Sequence, residues 1–496
     1  MIESHADTDG KSVSRVTIND LLGLPESKGD GCAHVHVTGI AYRADAVRRG
    51  DAFFCIPGAI RDGHDFAGDA AAAGASVLVV ERVMPGLPVP QCLVADSRRA
   101  LAIASSAFHG NPSASMNVVG ITGTNGKTTT TYLLDSIMRA AGHTTGVVGT
   151  VETRVAGVRL PATRTTPESS DLQALLAQMR DAGVTAVSME VSSHAIDLKR
   201  VAGVTFAAVG FTNLTQDHLD YHGTLAEYGS VKRRLFTESF AAVRLIDVDD
   251  PFGRQMADDL VGSTRVGRAA DADVRAEDEV CCAEGTTFTL VTPHGTATVR
   301  LPLAGAYNVS NALLAAGCAL GTGVPFDTVV QGLEAAEQVP GRLERIDAGQ
   351  PFSVLVDYAH TPDSLEKAIR AIKRVTSGRT IVVFGCGGDR DPAKRPLMGK
   401  AAADFADLVV VTSDNPRSED PSAIISQVLG GFPASSARPE VEVDRRGAIA
   451  RAIALAVSGD SVLIAGKGHE DYQIFADKTV HFDDREVAFE ELKRRC

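Results

Sequence analysis

Lys127 stands directly before Thr128, Thr129 and Thr130 and just after Gly120, Gly123 and Gly126. Glycines let backbone N–H groups converge on phosphate oxygens, a lysine at the end of such a turn reaches the β- and γ-phosphates, and the neighbouring hydroxyl can hold Mg²⁺. Gly120 and Gly126 are separated by five residues rather than the four of the common phosphate loop, so an ordinary glycine-rich turn is the alternative; the lysine before three threonines favours phosphate. Downstream, Glu190 and His218 offer a carboxylate and an imidazole that could complete Mg²⁺ coordination beside a triphosphate. Nearer the C-terminus, Arg390 and Arg417 carry forks that suit carboxylates, and Asp414 and Glu470 could grip an ammonium group. Together these four suit a zwitterionic amino acid; singly, each is more often a surface ion pair.

The elements around these residues explain how they could be positioned. Val118, Val119 and Ile121 read as a buried strand, and Leu133, Leu134, Ile137, Met138 and Ala141 fall on one face of a helix. The glycine turn therefore opens a helix N-terminus, where the potential is positive. Residues 184–191 and 205–212 read as buried strands of a parallel sheet, whose ligands bind at the carboxyl ends. Glu190, Ser192, Ser193 and His194 sit at one such end; Asn213, Asp217, His218, Asp220, Tyr221 and His222 follow the other. The stretch 264–303 alternates in short runs and predicts an antiparallel hairpin excursion, and 305–320 reads as a helix opening with Asn308 and Asn311. Strand-like runs at 353–358, 380–385, 407–412 and 461–465 alternate with helices as a second doubly wound unit. Upstream, 35–40, 52–56 and 75–80 read as strands and 66–73 as a helix. There Arg43, Arg61 and His64 are either anion grips or solvated charges. Lys232, in a helical stretch, reads as an exposed helix lysine.

These patterns predict an α/β protein of three domains: a small N-terminal α/β domain (1–98), a central ATPase-like parallel-sheet domain with the phosphate loop (99–339) and a C-terminal Rossmann-like domain (340–496). A chain of 496 residues is long enough for about three cores. The net charge of −13, from 49 basic and 62 acidic residues, argues against a sequence-independent nucleic-acid binder. No apolar run approaches a membrane helix, and the polar N-terminal stretch lacks the apolar core of a signal peptide. The eight cysteines form no CxxC pair; Cys281 and Cys282 are adjacent and Cys496 is terminal. Buried or free thiols in a reducing cytoplasm are expected rather than a disulfide framework or a zinc site.

The motifs together give a sharper reading. GITGTNGKTTT (120–130), TTPES (165–169), MEVSSHA (189–195), FTNLTQDHLDYHG (211–223), YNVSN (307–311), GRLE (341–344), DYAHTPDSLE (357–366), GCGGDRDPAKRPLM (385–398), DNPR (414–417) and GKGHEDYQ (466–473) resemble the Mur ligase family over nearly the whole chain. Within it the chain is similar to the members that add the third residue of the peptidoglycan stem peptide. The five-residue spacing is the family's own form of the loop.

The resemblance implies ATP on Gly123, Thr124, Asn125, Gly126, Lys127, Thr128 and Thr129, with Asn308 and Asn311 on the adenine side and Arg342, Asp357 and His360 closing over the nucleotide. It implies Mg²⁺ on Thr128, Glu190, His218 and a carbamylated Lys232, with Lys127, Lys232 and His218 catalytic. Thr165, Thr166, Ser192 and Arg200 match contacts to UDP-MurNAc-L-Ala-D-Glu. Arg390, Asp414, Asn415, Pro416, Arg417, Gly466 and Glu470 match the pocket for the incoming amino acid. DNPR is similar to the family's signature for meso-diaminopimelate, and Arg417 can pair with a carboxylate that lysine lacks. The implied enzyme is a cytoplasmic monomer that makes an acyl phosphate from ATP and the dipeptide, with the last domain swinging onto the middle one. Lysine as acceptor, a folylpolyglutamate-type ligase, and a nucleotide-gated binding protein without catalysis are the alternatives. Two departures concern the uridine end. Ala44 and Asp45 stand where a Ser-Arg pair is usual, and Leu198 replaces a polar residue, so other groups would have to serve there.

Overall fold

The structure, a computed structural model, describes residues 4–6, 12–14, 16–23, 32, 34–58, 61–161, 164–237, 240–282 and 285–495. Cys496 and most of the first twelve residues, on which two of the expectations above fall, lie outside the described residues. The chain divides into two compact units. The first comprises Met1–Thr122, His143–Val209 and Val231–Val243, and the second Gly123–Gly142, Gly210–Ser230 and Arg244–Cys496.

In the first unit, four parallel strands lie in the order Gly39–Ala41, Asp51–Phe54, Val77–Val80 and Gln91–Leu93. The two central strands are buried along their whole length. Ala52, Phe54, Val77 and Val79 pack with Leu101 and Ala104 of the helix Ser97–Phe108, while Phe53, Leu78 and Val80 pack with Ala67 and Ala70 of the helix Ala67–Ala73. Cover on both faces is why these strands read as continuous apolar runs. The expected strand over 35–40 is two: His36–Val37 pairs antiparallel with Val16–Thr17, and Gly39–Ala41 joins the parallel sheet. The break falls at Thr38, whose N–H donates to Gly50 O at 3.0 Å. The same unit holds a parallel set in the order Thr145–Val148, Ala186–Glu190, Asn117–Thr122, extended at one edge by the antiparallel strands Thr153–Val155 and Val158–Leu160. Its register sets Glu190 opposite Ile121, at the strand ends just before the glycine turn.

The second unit begins with that turn and the helix Lys127–Ala140. This helix seats closely on Phe326–Glu334. Ser136 Oγ donates to Gly332 O at 2.7 Å, and a Cβ at Gly332 would collide with the Ile137 backbone. Val274–Cys282, Gly285–Thr292 and Gly295–Leu301 form an antiparallel meander, as the alternation at 264–303 predicts. The first strand of that stretch, Thr264–Gly267, is instead parallel to both of its neighbours. Alternation reports a half-buried strand but not its direction.

The last part of this unit is a six-stranded sheet in the order Glu344–Arg345, Ser353–Asp357, Ser461–Ala465, Thr380–Phe384, Leu408–Val411, Glu440–Val441. All pairs are parallel except the first. Alternate residues of its strands enter two cores, one shared with Arg445–Leu455 and Asp484–Arg495, the other with Pro362–Lys373, Lys394–Phe405 and Pro421–Leu429. This order brings the carboxyl ends of four neighbouring strands together, and with them Asp357, Gly466, the loop 385–390 and Asp414.

Candidate active site

The glycine turn is built from close approaches that only glycine allows. Gly123 and Gly126 have φ of +146° and +89°, and a Cβ would strike Thr212 Oγ1 at the first and Asn311 Oδ1 at the second. The segment after Phe206–Phe211 braces the turn. Thr124 N donates to Asn213 O at 2.8 Å, Asn125 N to Asn213 Oδ1 at 3.0 Å, and Thr212 Oγ1 to Asn125 O at 2.6 Å. Lys127 Nζ folds back onto its own loop, donating to Gly123 O at 2.9 Å and Thr124 O at 2.7 Å. A cavity of about 470 Å³ opens in front of the turn. Its walls include Asn125, Gly126, Thr128, Thr129, Asn311, Arg342, Asp357 and His360.

Arg342 lies with its guanidinium carbon 4.7 Å from the centre of the Tyr358 ring, and its Nη2 donates to Thr128 Oγ1 at 3.0 Å. Asp357 accepts from Leu343 N at 2.7 Å and Ala359 N at 2.8 Å; burial pushes its carboxyl up, against the pull of Arg342 and these two N–H groups. Burial, and then Lys394, push His360 below the usual imidazole range. Asn311 lines the cavity, whereas Asn308 stands behind it, accepting from Asn311 Nδ2 at 3.1 Å and donating to Ala304 O at 2.8 Å. Asn213 was expected at a ligand-binding strand end; Thr212 and Thr215 were not singled out in the sequence, although the FTNLTQ motif contains both.

His218 has a positive φ of 53°, and its Nε2 is 3.5 Å from Asp217 Oδ2. Burial raises Asp217, but His218, His360 and Lys127 outweigh it and hold the carboxyl below its ordinary value. Glu190 is buried; Thr150 N and Oγ1 donate to its two oxygens at 2.8 and 3.0 Å. Lys232 is only 1% exposed, which corrects the expectation of an exposed helix lysine. On Leu225–Thr237 it falls in the buried stripe with Tyr228, Leu235 and Phe236, a spacing that places all four on one helical face. Among the described residues, no three His, Cys, Asp or Glu side chains converge to hold a metal by themselves. The buried Glu190 carboxylate is the kind of oxygen donor that suits Mg²⁺.

At the C-terminal strand ends, Gly387 separates two arginines. A Cβ there would stand 3.0 Å from Arg417 Nη1 and 3.9 Å from Arg390 Cγ. Arg417 Nη1 donates to Gly388 O at 2.7 Å, and Arg390 Nη1 to Asp389 O at 3.2 Å; among the described residues no carboxylate pairs with either. Arg395 is the contrast: buried, and paired through both Nη atoms with Glu419 at 2.8 Å, it braces the loop. Arg417 adopts φ +53° and its N–H donates to Ile474 O at 3.0 Å. Arg390 also lines a second cavity, of about 590 Å³, with Asp220, Asp389 and Asp391. Asp414 and Asn415 are buried, and Asn415 Nδ2 donates to Glu470 Oε2 at 2.9 Å. Pro416 O lies so close to Gly388 that a Cβ would collide with it, and Gly466 faces Asp414 Oδ2 at 3.6 Å by the same measure. The space between Asp414 and Glu470 already holds a cation that sequence reasoning did not single out: Lys467, fully buried, with Nζ 3.5 Å from Asp414 and 3.6 Å from Glu470.

In the first unit, Thr166 Oγ1 donates to Glu190 O at 2.9 Å and accepts from Ser192 N at 3.2 Å, and Thr165 and Thr150 hydroxyls are 3.0 Å apart. Ser192 caps the helix Ser193–Asp197. Arg200 Nη1 donates to Thr166 O at 3.1 Å, and its Nε lies 3.3 Å from the buried Glu168, which Arg98 and Arg164 also approach. His64 is buried, with Nδ1 2.6 Å from Asp62 and Nε2 accepting from Glu81 N, so it serves the fold. Arg43 pairs with Asp45 on the surface beside Ala44, and Arg61 lies over the Phe66 ring. Leu198 ends the helix Ser193–Asp197.

Three family models match the chain: the Mur ligase family catalytic domain over residues 36–109, the Mur ligase middle domain over 121–319 and the Mur ligase glutamate ligase domain over 341–468. The chain belongs to the Mur ligase family, and its α/β fold has that family's N-terminal, middle and C-terminal domains. It is 46% identical, over 90% of this chain and 93% of the relative, to UDP-N-acetylmuramoyl-L-alanyl-D-glutamate–2,6-diaminopimelate ligase of Geobacillus kaustophilus. To the enzyme of the same name from Solibacter usitatus it is 45% identical, over 95% and 96%. A solved structure of a ligase so named superposes with a TM-score of 0.70 at 31% identity, covering 97% of this chain and 99% of that one. No helix among the described residues is long and apolar enough to cross a membrane.

Proposed function

We propose that the chain is an ATP-dependent ligase that adds meso-diaminopimelate to the D-glutamate of UDP-MurNAc-L-Ala-D-Glu, a step of peptidoglycan precursor synthesis carried out by a cytoplasmic monomer. The domain limits we assign are 1–98, 99–339 and 340–496. The relatives carry this activity in their names over nearly all of the chain. The single observation that carries the choice of acceptor is Arg417, held beside Arg390 with no carboxylate of the described chain to pair with.

The chain's own residues divide the work. The N–H groups of Gly123 to Thr129 and the helix N-terminus they open hold the phosphates of ATP. Lys127 leaves its own loop carbonyls for the β- and γ-phosphates, and neutralises charge spreading over the transferring group. Asn311, Arg342, Asp357 and His360 orient the nucleotide. Thr128, Glu190, His218 and Lys232 in carbamylated form are the residues we assign to Mg²⁺, which when bound would neutralise phosphate charge. Thr165, Thr166, Ser192 and Arg200 bind the dipeptide substrate and aim its γ-carboxylate. Phosphorylation of that carboxylate makes an acyl phosphate, needed because an ionised carboxylate is a poor acyl donor. Asp414 and Glu470 take an ammonium of diaminopimelate and Arg390 and Arg417 its carboxylates, leaving the other amine to attack the acyl carbon and expel phosphate. A lysine acceptor would leave Arg417 unpaired.

Replacing Arg417 tests this reading. Arg417→Ala should raise KM for diaminopimelate roughly 10²-fold, the cost of truncating one partner of a buried charge pair, with ATP affinity unchanged. Comparable losses for both substrates would overturn the pocket assignment.

A further inference from the structure

Lys467 is fully buried in the second unit, and nothing in the proposed chemistry uses it. Its ammonium lies 3.2 Å from Asn415 Oδ1, 3.5 Å from Asp414 Oδ1 and 3.6 Å from Glu470 Oε2, over the Tyr472 ring at 5.6 Å. Burying an ammonium is costly unless it is paired and hydrogen-bonded, and here it has two carboxylates and an amide oxygen. Asn415 ties the group together: its Oδ1 accepts from Lys467 and from Ile474 N at 3.0 Å, and its Nδ2 donates to Glu470 Oε2 at 2.9 Å. Asp414 is fixed through its own carbonyl, which accepts from Gln473 Nε2 at 2.6 Å. Two carboxylates meant to take one ammonium would otherwise repel each other and draw protons.

We infer that Lys467 is a positioning residue: it holds the Asp414 and Glu470 side chains in fixed geometry and offsets one of their two charges, so that together they present one net negative charge to the ammonium of the incoming amino acid. The inference rests on reading this pocket as the acceptor's site. The other groups facing Glu470 leave that task to Lys467. Asp414, from the loop after Leu408–Val411, and Tyr358 and Tyr472 push the carboxyl towards its neutral form or give it no cation. Arg445, which also faces Glu470, is committed to Asp484 at 2.6 Å and to the carbonyls of Ser413 and Ala465; Arg417 acts on Tyr472 and Arg342 on Tyr358. Burial, and then Asp414, raise Glu470 above its ordinary value even with Lys467 present.

The test is steady-state kinetics of the full chain as Lys467→Met and Lys467→Arg, with diaminopimelate as acceptor, between pH 6 and 9. In Lys467→Met the Glu470 carboxyl moves further up, so KM for the acceptor should rise at least roughly tenfold at pH 7 and fall back as the pH is raised. ATP affinity should stay as in the unaltered chain. Lys467→Arg keeps the charge and should retain the unaltered pH profile. If Lys467→Met does not fold, Lys467→Gln, which keeps a donor for Asn415 without the charge, carries the same expectation. A KM that rises equally at every pH, or an equal loss of ATP affinity, would overturn the inference and leave Lys467 a packing residue. If Arg417→Ala also leaves KM for the acceptor unchanged, the reading of the pocket itself fails; if only the Lys467 variants behave normally, the inference alone does.

Discussion

Gly126 joins the phosphate loop to its helix, and both its backbone angle and its surroundings exclude a side chain. An alanine there would hold a left-handed conformation at about 1–2 kcal/mol and push Asn311 out of the nucleotide cavity. Gly126→Ala should therefore weaken binding of a non-hydrolysable ATP analogue by at least roughly tenfold, the equivalent of 1.4 kcal/mol, as read by titration calorimetry. An unchanged affinity would remove the loop from the nucleotide site. The backbone angle is a local constraint, which is why the glycine turn was legible in the sequence; the close approach of Asn311 is not local and was not legible. Lys232 and Lys467 were not legible in the same way. A lysine on a helix or after a strand is exposed by default, and whether it is buried depends on what distant segments pack over it. In Lys232 the helical spacing with Tyr228, Leu235 and Phe236 carried the signal. For Lys467 no periodicity existed, because it lies in a loop whose partners are about 50 residues away in Asp414 and Asn415.

Elements were read more reliably than their partners. The strands Ala186–Glu190, Phe206–Phe211, Ser353–Asp357, Thr380–Phe384, Leu408–Val411 and Ser461–Ala465 fall inside the expected runs, since each is a largely apolar stretch followed by a polar cluster. The direction of Thr264–Gly267 and the break at Thr38 were invisible, because pairing partners are not encoded in a strand's own pattern. The connection from the strand Ala241–Asp247 to the helix Pro251–Asp259 carries a consequence of its own. Asp250 caps the helix through Gly253 N at 2.9 Å, Asp249 pairs with Arg268 at 3.0 Å, and Asp247 is left buried beside both. Burial, and beyond it the charges of Asp249 and Asp250, push the Asp247 carboxyl up to about 7, against the Asp249 N–H and Arg268. A folded-state pKa above the unfolded value gives stability that is present below the unfolded pKa and lost as pH rises through the folded one. Asp247→Asn removes that loss. The variant should gain stability relative to the parent between pH 4.5 and pH 8, by on the order of 2 kcal/mol, measured as the difference in denaturation midpoints. The same difference at both pH values would show that Asp247 does not titrate in this range.

At the scale of the molecule, each compact unit draws on separated stretches of chain, so the motifs of one site are spread along the sequence. The cavity we assign to the nucleotide takes Asn125, Asn213, Asn311 and His360 from four distant motifs of the second unit. The family resemblance named Asn125, Asn311 and His360 for the nucleotide, which spacing alone could not do; it did not name Asn213. We propose that this one chain couples ATP cleavage to formation of an amide bond with a diamino diacid. The most direct test is phosphate release and product mass with ATP, Mg²⁺ and UDP-MurNAc-L-Ala-D-Glu, with meso-diaminopimelate and L-lysine supplied in parallel reactions. Phosphate release with a tripeptide product from diaminopimelate, and neither from lysine, is the predicted result. Equal turnover with lysine, or no product with either acceptor, would contradict it.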